Sequence, residues 1–209
     1  GAVKRILVSA IEHAAVPANA ATTGVPVETI PATGGGVADL GWLRSRLKDY
    51  DAKRDGGFLL CLMFANNETG VIQPVREAAE IAHEKGGLLF IDAVQAVGKT
   101  PVNFVMSGAD LLALSAHKFG GPIGIGVLIG GPNLPLDPVM RGGGHENNRR
   151  AGTHNVPAIA GLGKACDLAA DYIAKGAKIA AMRDLMQEAA EAAGASVWGK
   201  CEARLPGTL

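Results

Sequence analysis

Phe58-Leu-Leu-Cys-Leu-Met-Phe64 and Gly87-Leu-Leu-Phe-Ile91, with residues 75–85 between them, are the stretch on which the fold turns. Both short runs are apolar at every position. A strand with one wet face alternates, so this is the pattern of strands buried on both sides. Residues 75–85 carry apolar side chains at helical spacing and are closed by Gly86, the residue type that most readily takes the left-handed backbone of a helix stop. Strand, helix and strand in this order imply an α/β fold: a mostly parallel sheet covered by helices on both faces.

Residues 5–9, 25–30, 111–114 and 125–129 are further strand candidates, and residues 39–53 read as a second helix stopped by Gly56. From residue 156 to about residue 193 the chain is alanine-rich and helical. Asn155 is the expected N-cap, Pro157 is tolerated in the first turn, and Gly176 marks a kink or a break. The expected organisation is a sheet domain over residues 1–155, a connecting helical segment over 156–193, and the start of a smaller C-terminal domain over 194–209. Arg204-Leu-Pro-Gly-Thr-Leu209 reads as a strand just beginning. Both ends are abrupt, so the chain is expected to be a fragment of a longer protein. No internal repeat or low-complexity tract is visible.

With 209 residues, one large domain is the simplest count. Basic and acidic residues balance at 20 each with no basic stripe, which argues against nucleic acid or an anionic membrane surface as the main partner. No apolar run approaches the roughly 20 residues of a membrane span, and Gly-Ala-Val-Lys-Arg at the start has no secretory core. The 3 cysteines, Cys61, Cys166 and Cys201, cannot all pair and lack metal-ligand spacing. A reducing, cytoplasmic home and no metal site are the expectations.

Ligands of open α/β sheets sit at the carboxyl ends of the strands. The polar residues that fall there are Glu12 and His13 after the first strand, Asn66-Asn67-Glu68-Thr69-Gly70 after the third, Asp92 and Gln95 after the fourth, and Ser115, His117 and Lys118 after the fifth. A lysine just past one strand and an acid at the end of another make the pair that a pyridoxal phosphate (PLP) enzyme needs. The amine holds the cofactor as a Schiff base, and the carboxylate keeps its pyridine nitrogen protonated.

Glu12-His13, Asn66-Asn67-Glu68-Thr69-Gly70, Asp92-Ala-Val-Gln95, Ser115-Ala-His117-Lys118, Gly142-Gly-Gly-His145-Glu146 and Arg150-Ala-Gly-Thr153 stand in one order along the chain. In these the chain resembles the cysteine desulfurases, which belong to the class V aminotransferase fold of PLP enzymes. The resemblance implies a PLP-dependent transferase (aspartate aminotransferase-like) large domain over residues 1–155, with its N-terminal part missing. Lys118 would carry the cofactor, partly buried beside a cationic ring. Asp92 would pair with the pyridine nitrogen. Gln95 and Asn67 would hydrogen-bond the phenolic oxygen or the nearby substrate. His13 would lie over the ring and move protons between the substrate Cα and the leaving sulfur. Ser115 and His117 would bind the phosphate, as would Thr153 from the neighbouring subunit of a homodimer. L-cysteine is the implied substrate, with a sulfur-acceptor protein and iron–sulfur cluster assembly downstream. Asn66 reads as a loop cap and Glu68 as an acid holding the turn. A solvated loop accounts for His145, Glu146 and Arg150 nearly as well as a role in the site. His83 and His154 read as helix surface and loop.

The chain departs from that family in three respects that bear on chemistry. A desulfurase takes sulfur as a persulfide on a nucleophilic cysteine, and none of the three cysteines stands in a matching position. That cysteine, the arginine for the substrate carboxylate and the N-terminal phosphate-binding segment are expected to lie outside these residues, with weak or no turnover from this chain alone. A selenocysteine lyase or another class V enzyme is a close variant. A non-catalytic α/β binding module is the alternative from another class, and it would need no buried lysine. The glycine run from Gly120 to Gly126 invites a dinucleotide-binding reading. It lies between two strands with no helix following, so that reading fails.

Overall fold

The computed structural model describes residues 3–208. Its centre is a six-stranded sheet in the order β2-β1-β3-β4-β5-β6. The strands are β1 (Val3–Ser9), β2 (Val27–Ile30), β3 (Gly57–Met63), β4 (Leu88–Asp92), β5 (Leu111–Ser115) and β6 (Gly126–Gly130). The first five run parallel, and β6 returns antiparallel beside β5. All six coincide with the runs expected from sequence to within two residues at either end.

The all-apolar runs are explained by the two faces of the sheet. Phe58, Leu60 and Leu62 of β3, Leu89 and Ile91 of β4, Leu7 and Leu112 point to one side, into a core shared with Leu43, Leu47, Ala78 and Ile81. Cys61 of β3 points to the other with Ile6 and Val8, packing with Ala20. Alternate residues thus serve opposite layers, so no position can be polar without opening one of them.

Around the sheet lie α1 (Ala15–Ala21), α2 (Leu40–Arg46), α3 (Ala52–Asp55), α4 (Val75–Glu84), α5 (Phe104–Ser107), α6 (Val156–Ala174) and α7 (Gly176–Ala192). Gly86 follows α4 with φ 73°, as its helix-stopping role requires. Asn155 caps α6 by accepting from the Ala158 N–H at 3.2 Å, and the α6–α7 break falls at Lys175 and Gly176. One expected helix is different. Residues 39–53 are not continuous: α2 ends at Arg46, and Asp51 starts a new turn by accepting from the Lys53 N–H at 2.9 Å. A short acidic side chain that bonds the backbone locally competes with helix propagation, and here it wins. Helices α1 and α5, seven and four residues long, span too little sequence for a helical period to register.

Residues 195–208 form no strand. They lie against the loop after β3 through an Ile72 N–H to Ala203 carbonyl bond and a Leu205 N–H to Gly70 carbonyl bond, both 2.8 Å, with a single antiparallel bridge between Val71 and Arg204. Leu205 is fully buried beside Ala65 and Ala96. Pro206 lacks an N–H with which to extend the pairing. Leu209, the last residue of the expected strand, lies outside the described residues.

Leu205→Ala is expected to lower the unfolding free energy by roughly 2–4 kcal/mol, the range for emptying a fully buried leucine site. Urea titration of both proteins checks it. A loss below about 1 kcal/mol would mean that the segment is not held on the loop.

Candidate active site

The register of the sheet decides where the polar residues emerge. Met63 of β3 lies opposite Asp92 of β4, and Asp92 lies opposite Ala113 of β5. β3 and β4 therefore end level, β5 runs two residues further to Ser115, and β1 ends beside them. The loops that follow carry Glu12 and His13, Asn66 and Asn67, Gln95, and His117 and Lys118 on one edge of the sheet.

On the β1–β3 side, Glu12 turns inward and its Oε1 accepts from the Met63 N–H at 2.6 Å. Its other oxygen is buried and has no partner among the described residues. Burial pushes the Glu12 carboxyl up to about 7; the Met63 N–H opposes this and the negative charge of Asp92 adds to it. Asn66 ties the loops together. Its Nδ2 donates to the Ile11 carbonyl, and its Oδ1 accepts from the Glu68 and Thr69 N–H groups, all at 2.9 Å. That is the loop-capping role its position suggests. His13 is exposed, and its Nδ1 accepts from the Ala15 N–H at 3.2 Å. This leaves Nε2 to carry the proton of the neutral ring. Glu12, His13, Asn67 and Glu68 line a cleft of about 560 Å³.

Asp92 stands between the two sides. Its Oδ1 accepts from the Val94 N–H at 2.9 Å. Burial pushes its carboxyl above the usual range, against the pull of that N–H. Beyond it, the Gln95 Oε1 accepts from the Lys99 ammonium at 2.6 Å.

On the β5 side, Ser115 Oγ and His117 Nδ1 are 2.9 Å apart at the start of a 3₁₀ turn, Ala116–Phe119. Residues three apart eclipse in such a turn. Ala116 and Phe119 are buried, so His117 and Lys118 point outward. Lys118 is thus exposed, where partial burial was expected. Lys118 and Lys99 line a second cavity, of about 350 Å³, together with Tyr172 and Thr208.

Thr153 has no recorded contact with this edge. It is exposed on the loop between β6 and α6, and among the described residues no hydrogen bond ties it to the other candidates. The same loop holds Glu146, Asn147 and Asn148 with φ 51°, 54° and 64°, three successive left-handed residues that all carry a Cβ, an uncommon and strained run. His154, read as plain loop, bonds Glu146 Oε1 through Nε2 at 3.1 Å and meets the His145 ring edge-on at 4.5 Å.

Cys61 has no nucleophilic character: burial, and after it the charge of Glu12, push its thiol up to about 12. Cys166 and Cys201 are exposed, on α6 and in the turn beyond α7. Lys99 escaped the reading of the sequence, although Gln95-Ala-Val-Gly-Lys99 places it four residues on from a candidate. Glu12 was placed at the strand end without a role.

A carboxylate acceptor, an amine, two carboxamides and a hydroxyl–imidazole pair at neighbouring strand ends form a set of polar groups suited to a ligand with a basic ring nitrogen, a carbonyl and an anionic tail. Its chemistry fits PLP, with a half-buried Asp92 at the end of β4 and, after the neighbouring β5, a lysine that no described carboxylate pairs with.

Residues 1–197 match the Aminotransferase class-V family, and the chain belongs to it. That family comprises PLP-dependent enzymes, and the relatives found within it carry the name cysteine desulfurase. The one from Gluconacetobacter diazotrophicus is 42% identical over 210 residues, covering 97% of this chain and 51% of its own. Among solved structures, a NifS-like protein from Rickettsia africae superposes with a TM-score of 0.88 at 31% identity, over 97% of this chain and 56% of its own. The structure described as SspA in complex with cysteine superposes with a TM-score of 0.70 at 31% identity, over 79% of this chain and 47% of its own. The chain spans about half the length of the curated relatives it matches.

Glu12 gives a signed prediction. Its folded pKa is raised from 4.5 to about 7, so between those values the native state holds a proton that the unfolded chain has released. Stability from this group is therefore fully present below about pH 4.5 and falls as pH rises towards and past 7, by roughly 3 kcal/mol in all. Glu12→Gln, which keeps an acceptor for Met63, is expected to gain on the wild type across that window. Chemical denaturation at about pH 5 and about pH 8 measures it. A difference between the two proteins that stays constant with pH would refute the buried, protonated carboxyl.

Proposed function

We propose that this chain carries the PLP site of a cysteine desulfurase, which releases the sulfur of L-cysteine as L-alanine forms. The observation that carries the reading is the placement of Asp92 and Lys118 at the ends of adjacent parallel strands, β4 and β5, with the Ser115–His117 pair between them in sequence. The desulfurase names of the relatives and the cysteine complex of SspA support it.

Each role follows from the chemistry of the side chain. Lys118 would hold the cofactor through its amine, which no described carboxylate ties up. Asp92 would accept from the protonated ring nitrogen, keeping the proton there. The Ser115 hydroxyl and His117 imidazole would bind the phosphate, and Thr153 would join them from a second copy of the chain in a homodimer. Asn67 and Gln95 would bind at the phenolic oxygen or the substrate. His13, with a proton on Nε2 and an open cleft in front of it, would transfer protons at the substrate Cα and sulfur. PLP, when bound, supplies an electron sink for the pair left at Cα. The nucleophile that takes the sulfur would be a cysteine other than Cys61, Cys166 and Cys201, and a protein thiol would be the final acceptor. On this reading residues 1–155 are the cofactor domain, with 156–193 leading out of it towards a smaller unit.

The exposed amine of Lys118 is also what a non-catalytic module would show, so the cofactor spectrum decides. The purified chain incubated with PLP is expected to develop a violet absorbance that borohydride bleaches and that Lys118→Ala lacks. An identical spectrum from both proteins would remove Lys118 from the role and with it the enzyme reading of this chain.

A further inference from the structure

Lys99 lies at this edge and the proposed chemistry leaves it unused, although its setting is unusual. It is half-buried, yet the charge that acts on it is another cation: burial, and then Lys118, push its ammonium below the usual range. A lysine on a surface turn ordinarily extends its ammonium into water. This one instead donates to the Gln95 Oε1 at 2.6 Å.

The local fold enforces the contact. Successive turn bonds from the Ala96 and Val97 N–H groups to the Ala93 carbonyl, and from Lys99 and Thr100 to the Ala96 carbonyl, place residues 95 and 99 one turn apart on the same side. Ala96 is fully buried and anchors the turn. Gly98, at φ 77°, lies so close to the 3₁₀ turn that a Cβ there would stand 2.5 Å from the Phe119 Cβ. Glycine therefore lets the Gln95–Lys99 turn press against the one that carries Lys118.

An ammonium has three donors and no acceptor, so only the oxygen of a carboxamide can face it. The contact thereby fixes which way round the Gln95 amide sits, with the NH₂ as the group left to offer a ligand. We infer that Lys99 is a positioning residue that locks the Gln95 carboxamide as a hydrogen-bond donor towards an anionic oxygen. Gln95 is thereby denied its acceptor face. If the PLP reading holds, that oxygen is the phenolic one of the cofactor, and a donor there favours its ionised form.

Two measurements test this, and the first needs no cofactor. The side-chain amide resonances of Gln95 in the ligand-free chain, assigned through Gln95→Ala, are expected to shift in Lys99→Met and to return towards the wild type in Lys99→Arg. Resonances unmoved by Lys99→Met would overturn the inference whether or not PLP binds. The second measurement takes the PLP-loaded chain and follows the pH midpoint of its violet band. Lys99→Met is expected to raise that midpoint by about one unit, and Lys99→Arg to restore it. The same Lys99→Met change in a Gln95→Ala background is expected to move it little. An equal shift in both backgrounds would mean that Lys99 acts by its charge alone, which also overturns the inference. Absence of any Lys118-dependent band defeats the PLP reading and leaves the resonance result to decide the role of Lys99.

Discussion

Parallel pairing in a single register holds the rest of this structure in place. Met63, Asp92 and Ala113 lie side by side across β3, β4 and β5, and side chains along each strand alternate between faces. A slip of one residue would swing Leu89 and Ile91 out of the larger core and aim Asp92 at the opposite layer. Phe58, Leu60 and Leu62 fill the larger layer and Cys61 the smaller one, so a slip would exchange side chains of the wrong volume between them. Because the register is fixed and the strands run parallel, four loops open on one edge, and that edge inherits the precision of the core beneath it.

The charges at the edge are laid out with a polarity that burial tempers. Burial raises the carboxyls of Glu12, after β1, and Asp92, at the end of β4; towards β5, it lowers the ammonium of Lys99. One cause acts in opposite directions because desolvation always disfavours the charged form. Acids lie on one flank and two cations on the other, a gradient that would orient a ligand with a basic nitrogen at one end and an anion at the other. The unpartnered Glu12 oxygen at the floor of the cleft is the most exacting element of that arrangement, since water cannot reach it and no described donor serves it.

Much of this was legible in the residues, for reasons that differ by element. The central strands were readable because burial on both faces forbids polar residues, and the seven consecutive apolar side chains from Phe58 to Phe64 have few other uses in a chain of this kind. Gly86 and Asn155 announced their helix ends through backbone chemistry that few residues can replace. The break inside residues 39–53 was hidden, because Asp51 as a cap and Asp51 on a wet helix face look alike in sequence. Asn66 was readable as a cap, since an amide after a strand has loop N–H groups close at hand. The exposure of Lys118 was not, because it depends on a 3₁₀ turn whose eclipsed residues 116 and 119 face inward, where an α-turn would direct them differently. Lys99 went unseen because its meaning lies in a contact with Gln95 that only the folded turn creates.

The docking of residues 203–205 on the loop after β3 has a dynamic consequence. Asn67 sits between Asn66, bonded to the turn after β1, and residues 70–72, bonded to Ala203 and Leu205. The loop cannot open without releasing those backbone bonds and exposing Leu205. It therefore belongs to the same cooperative opening unit as the segment beyond α7, and its amides should exchange with solvent at that unit's free energy, well slower than an ordinary surface loop. One wall of the cleft thus borrows its rigidity from a stretch more than a hundred residues further along the chain.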